Sequence, residues 1–172
     1  MNRYKKYFYR HSYKTILINI LLLAILLLAI IYWININRVE EHEVVLVEDG
    51  DTFKLDNGET VRYIGIDTPE ITIIEHPQCF GNEATEANRA MIEGKTIKLK
   101  RDIKNRDIYG RLLRYVYVDN KFINEELIKN GYARLMTVYP NVSFSREFKM
   151  AEKNAQKNKI GLWSENNCNG GR

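Results

Sequence analysis

The chain has 172 residues and a formal net charge of +4, enough for one domain of ordinary size and an additional segment. Five of its 26 Lys and Arg residues fall within the first fourteen positions, so residues 38–172 carry 21 basic side chains against 22 acidic ones. That near-neutral remainder excludes a globally basic nucleic-acid coat, and an anionic partner must be met by a local patch.

Arg3, Lys5, Lys6, Arg10 and Lys14 make residues 1–15 a basic tail without an acidic residue. Residues 16–34 follow as an apolar run interrupted by Asn19. As a helix they would reach roughly 28 Å, close to the hydrocarbon thickness of a bilayer. Tyr32 and Trp33 stand at the outer end, where amphipathic rings favour the interface. A buried core helix would not be apolar on every side beside a purely basic flank. A cleaved signal peptide wants a shorter run ending in small residues. The segment therefore reads as an uncleaved transmembrane signal anchor, with secretion the outcome if it is removed. The positive-inside rule keeps the basic tail cytoplasmic and puts the rest of the chain outside the cell membrane.

Residues 35–42 read as a polar linker. Val44–Val47, Thr52–Leu55 and Thr60–Ile66 read as three strands joined by turns at Asp49-Gly50 and Asp56-Asn57-Gly58. A loop from Ile71 to Gly81 leads to a helix over 82–92, ended by Gly94. Thr96–Lys100 and Leu112–Val118 supply a fourth and a fifth strand around a charged loop, and an Asp-Asn turn follows at 119–120. A short helix over 124–130, an extended stretch over 132–136 and a helix over 145–159 complete the order. Ser145 is placed to cap that last helix, with Phe148, Ala151 and Ala155 as its apolar stripe. Trp163 is expected on the core, and residues 166–172 to be frayed apart from Cys168. Five strands with an inserted helix and about three helices in all suggest a mainly β, five-stranded Greek-key barrel of the OB type.

Cys79 and Cys168 are the two cysteines. Inside a cell both would be buried thiols, whereas outside it they can pair. A bond would close a loop of about ninety residues, roughly 4–5 kcal/mol in the chain-entropy model. Spacing alone does not decide between the two.

Three stretches carry chemistry. Residues 49–52 are Asp-Gly-Asp-Thr. Residues 61–70 are Val-Arg-Tyr-Ile-Gly-Ile-Asp-Thr-Pro-Glu, in which alternation puts Arg62 on the face of Ile64 and Ile66 and Pro69 stiffens the backbone between Asp67 and Glu70. Residues 107–111 are Asp-Ile-Tyr-Gly-Arg. Taken singly, each reads as turn chemistry or an exposed loop. Together, Asp51, Asp67 and the Thr68 carbonyl offer hard oxygen ligands suited to Ca²⁺. His11, His42 and His76 are too scattered for zinc. Arg62 and Arg111 can each grip a phosphate with a planar fork, which leaves Glu70 to take a proton from water. A cation, two guanidiniums and a carboxylate are what phosphodiester hydrolysis requires.

These stretches, with Gly-Asn-Glu-Ala at 81–84 and Gly-Leu-Trp at 161–163, resemble the staphylococcal nuclease (thermonuclease) family over residues 43–165, in the family's order and near its spacing. The resemblance implies an OB-fold, Ca²⁺-dependent endonuclease that cuts DNA and RNA and leaves 3′-phosphates. It implies Asp51, Asp67 and Thr68 as metal ligands, Glu70 as general base, Arg62 and Arg111 on the scissile phosphate, and Tyr109 on an adjacent phosphate. Tyr139 would line the nucleotide pocket. The chain departs from the family at Ile108, at the apolar residues 71–74 and at Thr137. Lys95, Lys98, Lys100, Arg101, Lys104 and Arg106 would then serve as a replacement backbone track or as a solvated charged face. Two other functions compete: a non-catalytic OB module holding single strands, with Tyr63, Tyr115 and Tyr117 as stacking candidates, and a structural envelope protein. No protein partner is implied.

Overall fold

The computed structural model describes residues 3–36, 38–71, 78–168 and 170, the side chains of residues 3–12 and 36 excepted. Residues 72–74 of the apolar stretch, His76, Pro77, and Asn169, Gly171 and Arg172 of the tail lie outside them. The chain divides into two units, residues 1–38 and 39–172.

The first unit is one helix, α1 (Arg3–Ile36). Its segment Tyr13–Asn35 has a mean hydropathy of 2.9 and no part of it is buried. A helix apolar on all sides has no water-facing stripe, and this one has the length and composition to cross a membrane.

The second unit is a closed barrel. Its elements are β1 (Val39–Val47), β2 (Thr52–Leu55), β3 (Thr60–Tyr63), β4 (Ile66–Asp67), α2 (Gly81–Ile92), β5 (Thr96–Lys100), β6 (Leu112–Val118), β7 (Lys121–Phe122), α3 (Ile123–Lys129), β8 (Arg134–Leu135) and α4 (Ser145–Lys157), with a 3₁₀ turn at Gly161–Trp163. Strands run in the order β3-β2-β1-β5-β6, and a parallel β3–β6 pairing closes the ring. This is the five-stranded OB-type barrel with three helices that the strand pattern predicts, preceded by a further helix. One strand serves two neighbours: residues 39–43 of β1 pair with β5 and residues 44–47 with β2, with a register shift between Val44 and Leu46. Such a shift bends a strand, which lets it turn the corner of a small barrel. Phe53, Leu55, Val61, Ile97, Leu99 and Val116 fill the interior, and Leu127, Ile128 and Phe148 pack against it from α3 and α4.

The structure differs from expectation in six places. The first strand starts at Val39, so the last four residues of the expected linker are strand, recruited by β5. The third strand breaks after Tyr63, where Gly65 takes φ +82°, and resumes as β4 against β8. The strict alternation expected from Arg62 to Ile66 therefore fails. The extended stretch after α3 is confined to Arg134–Leu135. Ser145 does not cap α4: Phe144 holds the cap position, and the Ser145 N–H donates to Val142 O at 3.1 Å. In the Gly-Leu-Trp turn it is Leu162 that is fully buried, while Trp163 lies half-buried beneath the Arg134 guanidinium at 5.2 Å. The tail is fastened: Gly170 donates to Leu162 O and accepts from Arg134 Nη2, each at 2.8 Å, and Cys79 and Cys168 form a disulfide.

The 3₁₀ turn sits directly on the loop after α3. Gly131 and Gly161 have φ of +70° and +56°, and a Cβ on Gly131 would overlap the Ile160 carbonyl. Gly131→Ala should therefore destabilise the fold by at least about 2 kcal/mol, read as a lower denaturation midpoint; an unchanged midpoint would show that this contact yields easily.

Candidate active site

Glycine makes the first contact of the site. A Cβ on Gly50 would lie 2.6 Å from Thr68 Oγ1, so only glycine lets the β1–β2 turn touch the segment after β4. Across that contact the Thr68 N–H donates to Asp51 Oδ2 at 2.7 Å. Asp51 is also fixed by its own N–H, which donates to Asp49 Oδ1 at 2.9 Å. Behind the turn, Tyr63 Oη donates to Asn88 Oδ1, and Asn88 Nδ2 donates to the Asp49 carbonyl. A fully buried side chain of α2 thus holds the turn from inside.

Arg62 joins the parts. Its Nη1 lies 2.9 Å from Asp51 Oδ2, and its Nη2 lies 3.1 Å from Asp67 Oδ1. Nη1 also donates to Ile66 O at 3.0 Å. One guanidinium therefore bridges two buried or half-buried carboxylates from different segments, with fork geometry that a lysine lacks.

The second guanidinium comes from the turn before β6. Arg111 Nε donates to Asp107 Oδ2 at 2.7 Å, while Asp107 Oδ1 accepts from the N–H groups of Tyr109 and Arg111. Burial works against the charge on Asp107, but the Arg111 bonds outweigh it and hold the carboxyl below its ordinary range. Asp107 thus orients Arg111, and the Tyr109 ring lies 5.4 Å from that guanidinium.

One cleft of about 580 Å³ is lined by Asp49, Asp51, Arg62, Glu70, Asp107, Tyr109 and Arg111, together with Lys104, Met136, Val138 and Tyr139. Asp67 and Thr68 join it through Arg62 and Asp51. Tyr109 and Tyr139 are highly exposed, at 77% and 82%. Asn141 clasps the two rim loops by exchanging two bonds with the Lys104 backbone, at 2.7 and 2.9 Å. Asp49 and Asp107 had no assigned role in the sequence reading. The four-residue spacing of Asp107 and Arg111 across a Gly turn was the available signal.

Three of the other cations expected as a backbone track are engaged elsewhere. Lys95 caps the end of α2, Arg106 forms a two-pronged pair with Glu59, and Lys98 lies near Glu41. Lys104 alone among those six lines the cleft. Tyr63 and Tyr115 are buried and Tyr117 stacks on Phe122, so none of the three is a stacking platform.

Carboxylates outnumber cations around the cleft. Asp49, Asp51, Asp67, Glu70 and Asp107 stand against Arg62, Lys104 and Arg111, a shortfall of two positive charges when all are ionised. Burial raises the Asp51 carboxyl to about 7, the Arg62 and Thr68 contacts only partly offsetting it, and Asp49 adds to the rise. Glu70 is raised too, first by burial and then by Asp49, with Arg62 pulling the other way. Among the described residues no three His, Cys, Asp or Glu side chains are gathered closely enough to hold an ion alone. Carboxylate oxygens are hard donors, of the kind Ca²⁺ takes.

Comparison with known proteins identifies the family. A model of the family described as staphylococcal nuclease homologue matches residues 60–165. The chain belongs to the staphylococcal nuclease family. Across 127 residues it is 42% identical to the SPbeta prophage-derived endonuclease YokF of Bacillus subtilis, over 69% of this chain and 42% of that protein. It is 40% identical to endonuclease YncB of the same organism, over 68% and 58%, and 35% identical to the thermonuclease of Staphylococcus hyicus, over 73% and 76%. The chain thus spans about half the length of the two Bacillus relatives.

The raised Asp51 carboxyl makes a sign-specific prediction for this family member. Its folded value lies above its unfolded one, so its contribution to stability is complete below about pH 4 and is lost as pH rises through about 7. In chelator, Asp51→Asn should melt higher than the unmodified chain at pH 8, with the gap closing towards pH 4. A variant that melts lower at pH 8 would show that the Arg62 pair outweighs burial.

Proposed function

We propose that the chain is a Ca²⁺-dependent endonuclease that hydrolyses phosphodiester bonds of DNA and RNA to 3′-phosphate products, acting outside the cell membrane to which α1 anchors it. The observation that carries this reading is the convergence of Asp51, Arg62, Glu70 and Arg111, from three separate stretches of chain, on one cleft. The names of the relatives, endonuclease and thermonuclease, support it. The length and hydropathy of α1 support the anchor.

In this reading Asp51, Asp67 and the Thr68 carbonyl hold Ca²⁺, which neutralises charge on the diester and makes its phosphorus easier to attack. Glu70 accepts a proton from the attacking water, and its raised value makes it a better base once ionised. The new bond forms between the water oxygen and phosphorus, the bond from phosphorus to the 5′ oxygen breaks, and the departing oxygen takes up a proton from solvent water. Arg111, oriented by Asp107, donates to phosphate oxygens whose negative charge grows along that path, and Arg62 assists from the opposite carboxylate pair. Tyr109 and Tyr139 stand where neighbouring nucleotides enter.

The full chain should degrade single-stranded DNA and RNA in Ca²⁺ and stop on chelation. Binding without cutting under the same conditions would favour a non-hydrolytic OB module. Glu70→Gln should lower kcat about 10²- to 10⁴-fold and leave Ca²⁺ affinity nearly unchanged; equal loss of both would reject the base assignment. Arg111→Lys should lower kcat about 10²-fold or more, since a point charge cannot replace the fork, and near-normal turnover would reject its role. Intact cells given a DNA substrate that cannot cross the membrane should degrade it; cleavage seen only after lysis would reverse the proposed topology.

A further inference from the structure

Glu70 is held through its backbone by one residue. Its N–H donates to Gln78 Oε1 at 3.2 Å, and the Gln78 N–H donates to Glu70 O at 2.9 Å. The two bonds close the loop between them at its neck. Gln78 is fixed on its far side, where its carbonyl accepts the Gly81 N–H at 2.9 Å as α2 begins. The fit is close, since a Cβ on Gly81 would lie 3.0 Å from Glu70 O.

The residue after Gln78 is Cys79, bonded to Cys168. The segment bearing Cys168 is anchored through Gly170, which donates to Leu162 O and accepts from Arg134 Nη2. Arg134 lies on β8, in register with Asp67 on β4. A ring of contacts therefore runs Asp67, Arg134, Gly170, Cys168, Cys79, Gln78, Glu70. Both ends of the tetrapeptide 67–70 are gripped, one by a strand pair and the other by a glutamine. The disulfide joins the two grips. The barrel strands pair without it.

We propose that Gln78 is a positioning residue for Glu70, and that the Cys79–Cys168 disulfide holds Gln78 in place, so that turnover depends on the oxidation state of this bond. This rests on the reading of Glu70 as general base. Cys79 is exposed and Cys168 half-buried, so a small dithiol reaches the pair. Reduction breaks the Sγ–Sγ bond and adds two electrons and two protons. The products are two thiols and the dithiol's own disulfide. The neck of the loop then loses its outer support, and the carboxylate no longer keeps a single position beside the cleft. Catalysis is sensitive to displacements of this kind, whereas ligands on the barrel side are not moved.

The test compares the full chain, purified in detergent, before and after dithiothreitol and after reoxidation, with Gln78→Ala and the Cys79→Ser/Cys168→Ser double variant alongside. Reduction and each variant should lower kcat at least about tenfold while KM for single-stranded DNA stays within about twofold. Ca²⁺ affinity should hold as well, and reoxidation should restore the rate. The residual rate of Glu70→Gln should not respond to reduction. Independently of turnover, amide exchange at Glu70 and Gln78 should accelerate on reduction while the Tyr63 amide, bonded to Asp51 O inside the barrel, stays protected. Unchanged exchange at 70 and 78 overturns the proposal. So does a parallel fall of kcat, Ca²⁺ affinity and Tyr63 protection, which would make the bond a general staple. A chain with no turnover at all that still shows this exchange pattern would reject the nuclease reading and leave the tether standing. If the double variant does not fold, reduction of the folded chain and Gln78→Ala decide the matter.

Discussion

The Arg62 guanidinium is the contact on which the site depends. It reaches Asp51 on the turn after β1, Asp67 on β4 and the Ile66 carbonyl. Without it, two carboxylates would face each other in a poorly solvated pocket, and removing one partner of such an arrangement leaves an uncompensated charge. The bridge is incomplete as electrostatics, because Asp51 remains raised to about 7. A fold that concentrates more negative charge than its own cations neutralise stores a demand for a positive ligand. Stability is given up at that point, and the rest of the barrel supplies it.

The barrel can supply it because the site is built on its rim. β3 carries Arg62 and packs Val61 and Tyr63 into the interior, β6 starts directly after Arg111, and α2 inserts Asn88 beneath the Asp49 carbonyl. Arg62 thus projects from a strand whose flanking residues, Val61 and Tyr63, are buried. The two rim loops that carry Lys104 and Tyr139 are tied by Asn141, and by Asp102, which accepts from the buried Tyr115 hydroxyl and the Ser143 N–H.

Much of this was legible in the sequence. Turns containing Asp and Gly bound β2, alternation marks β5, an Asp-Asn turn ends β6, and a single stretch of ten residues holds Arg62, Asp67, Thr68 and Glu70. The remainder was hidden for identifiable reasons. Apolar Ile64 and Ile66 disguise the break at Gly65, since a positive φ leaves no trace in hydrophobicity. The first four residues of β1 include three polar ones, and they are strand only because β5 lies alongside. Ser145 looks like a cap by residue type, but the preceding turn already accepts its N–H. The tail is held through the Gly170 backbone, which has no sequence signature. The grip of Gln78 on Glu70 closes across a loop, so no local pattern points to it. The charge on Lys95 and Arg106 suggested an open track, whereas nearby carbonyls and Glu59 engage both.

The parallel pairing of β3 with β6 also bears on how the chain reaches its fold. The partners Val61 and Leu112 are far apart in sequence, so this contact bears a large loop-closure entropy and favours slow, late assembly. Until β5 and β6 arrive, the β1–β2–β3 meander has two open hydrogen-bonding edges, which are templates for pairing with another chain. Emerging N-terminus first, the polypeptide must keep that hairpin sheet apart from its neighbours until some fifty further residues have followed.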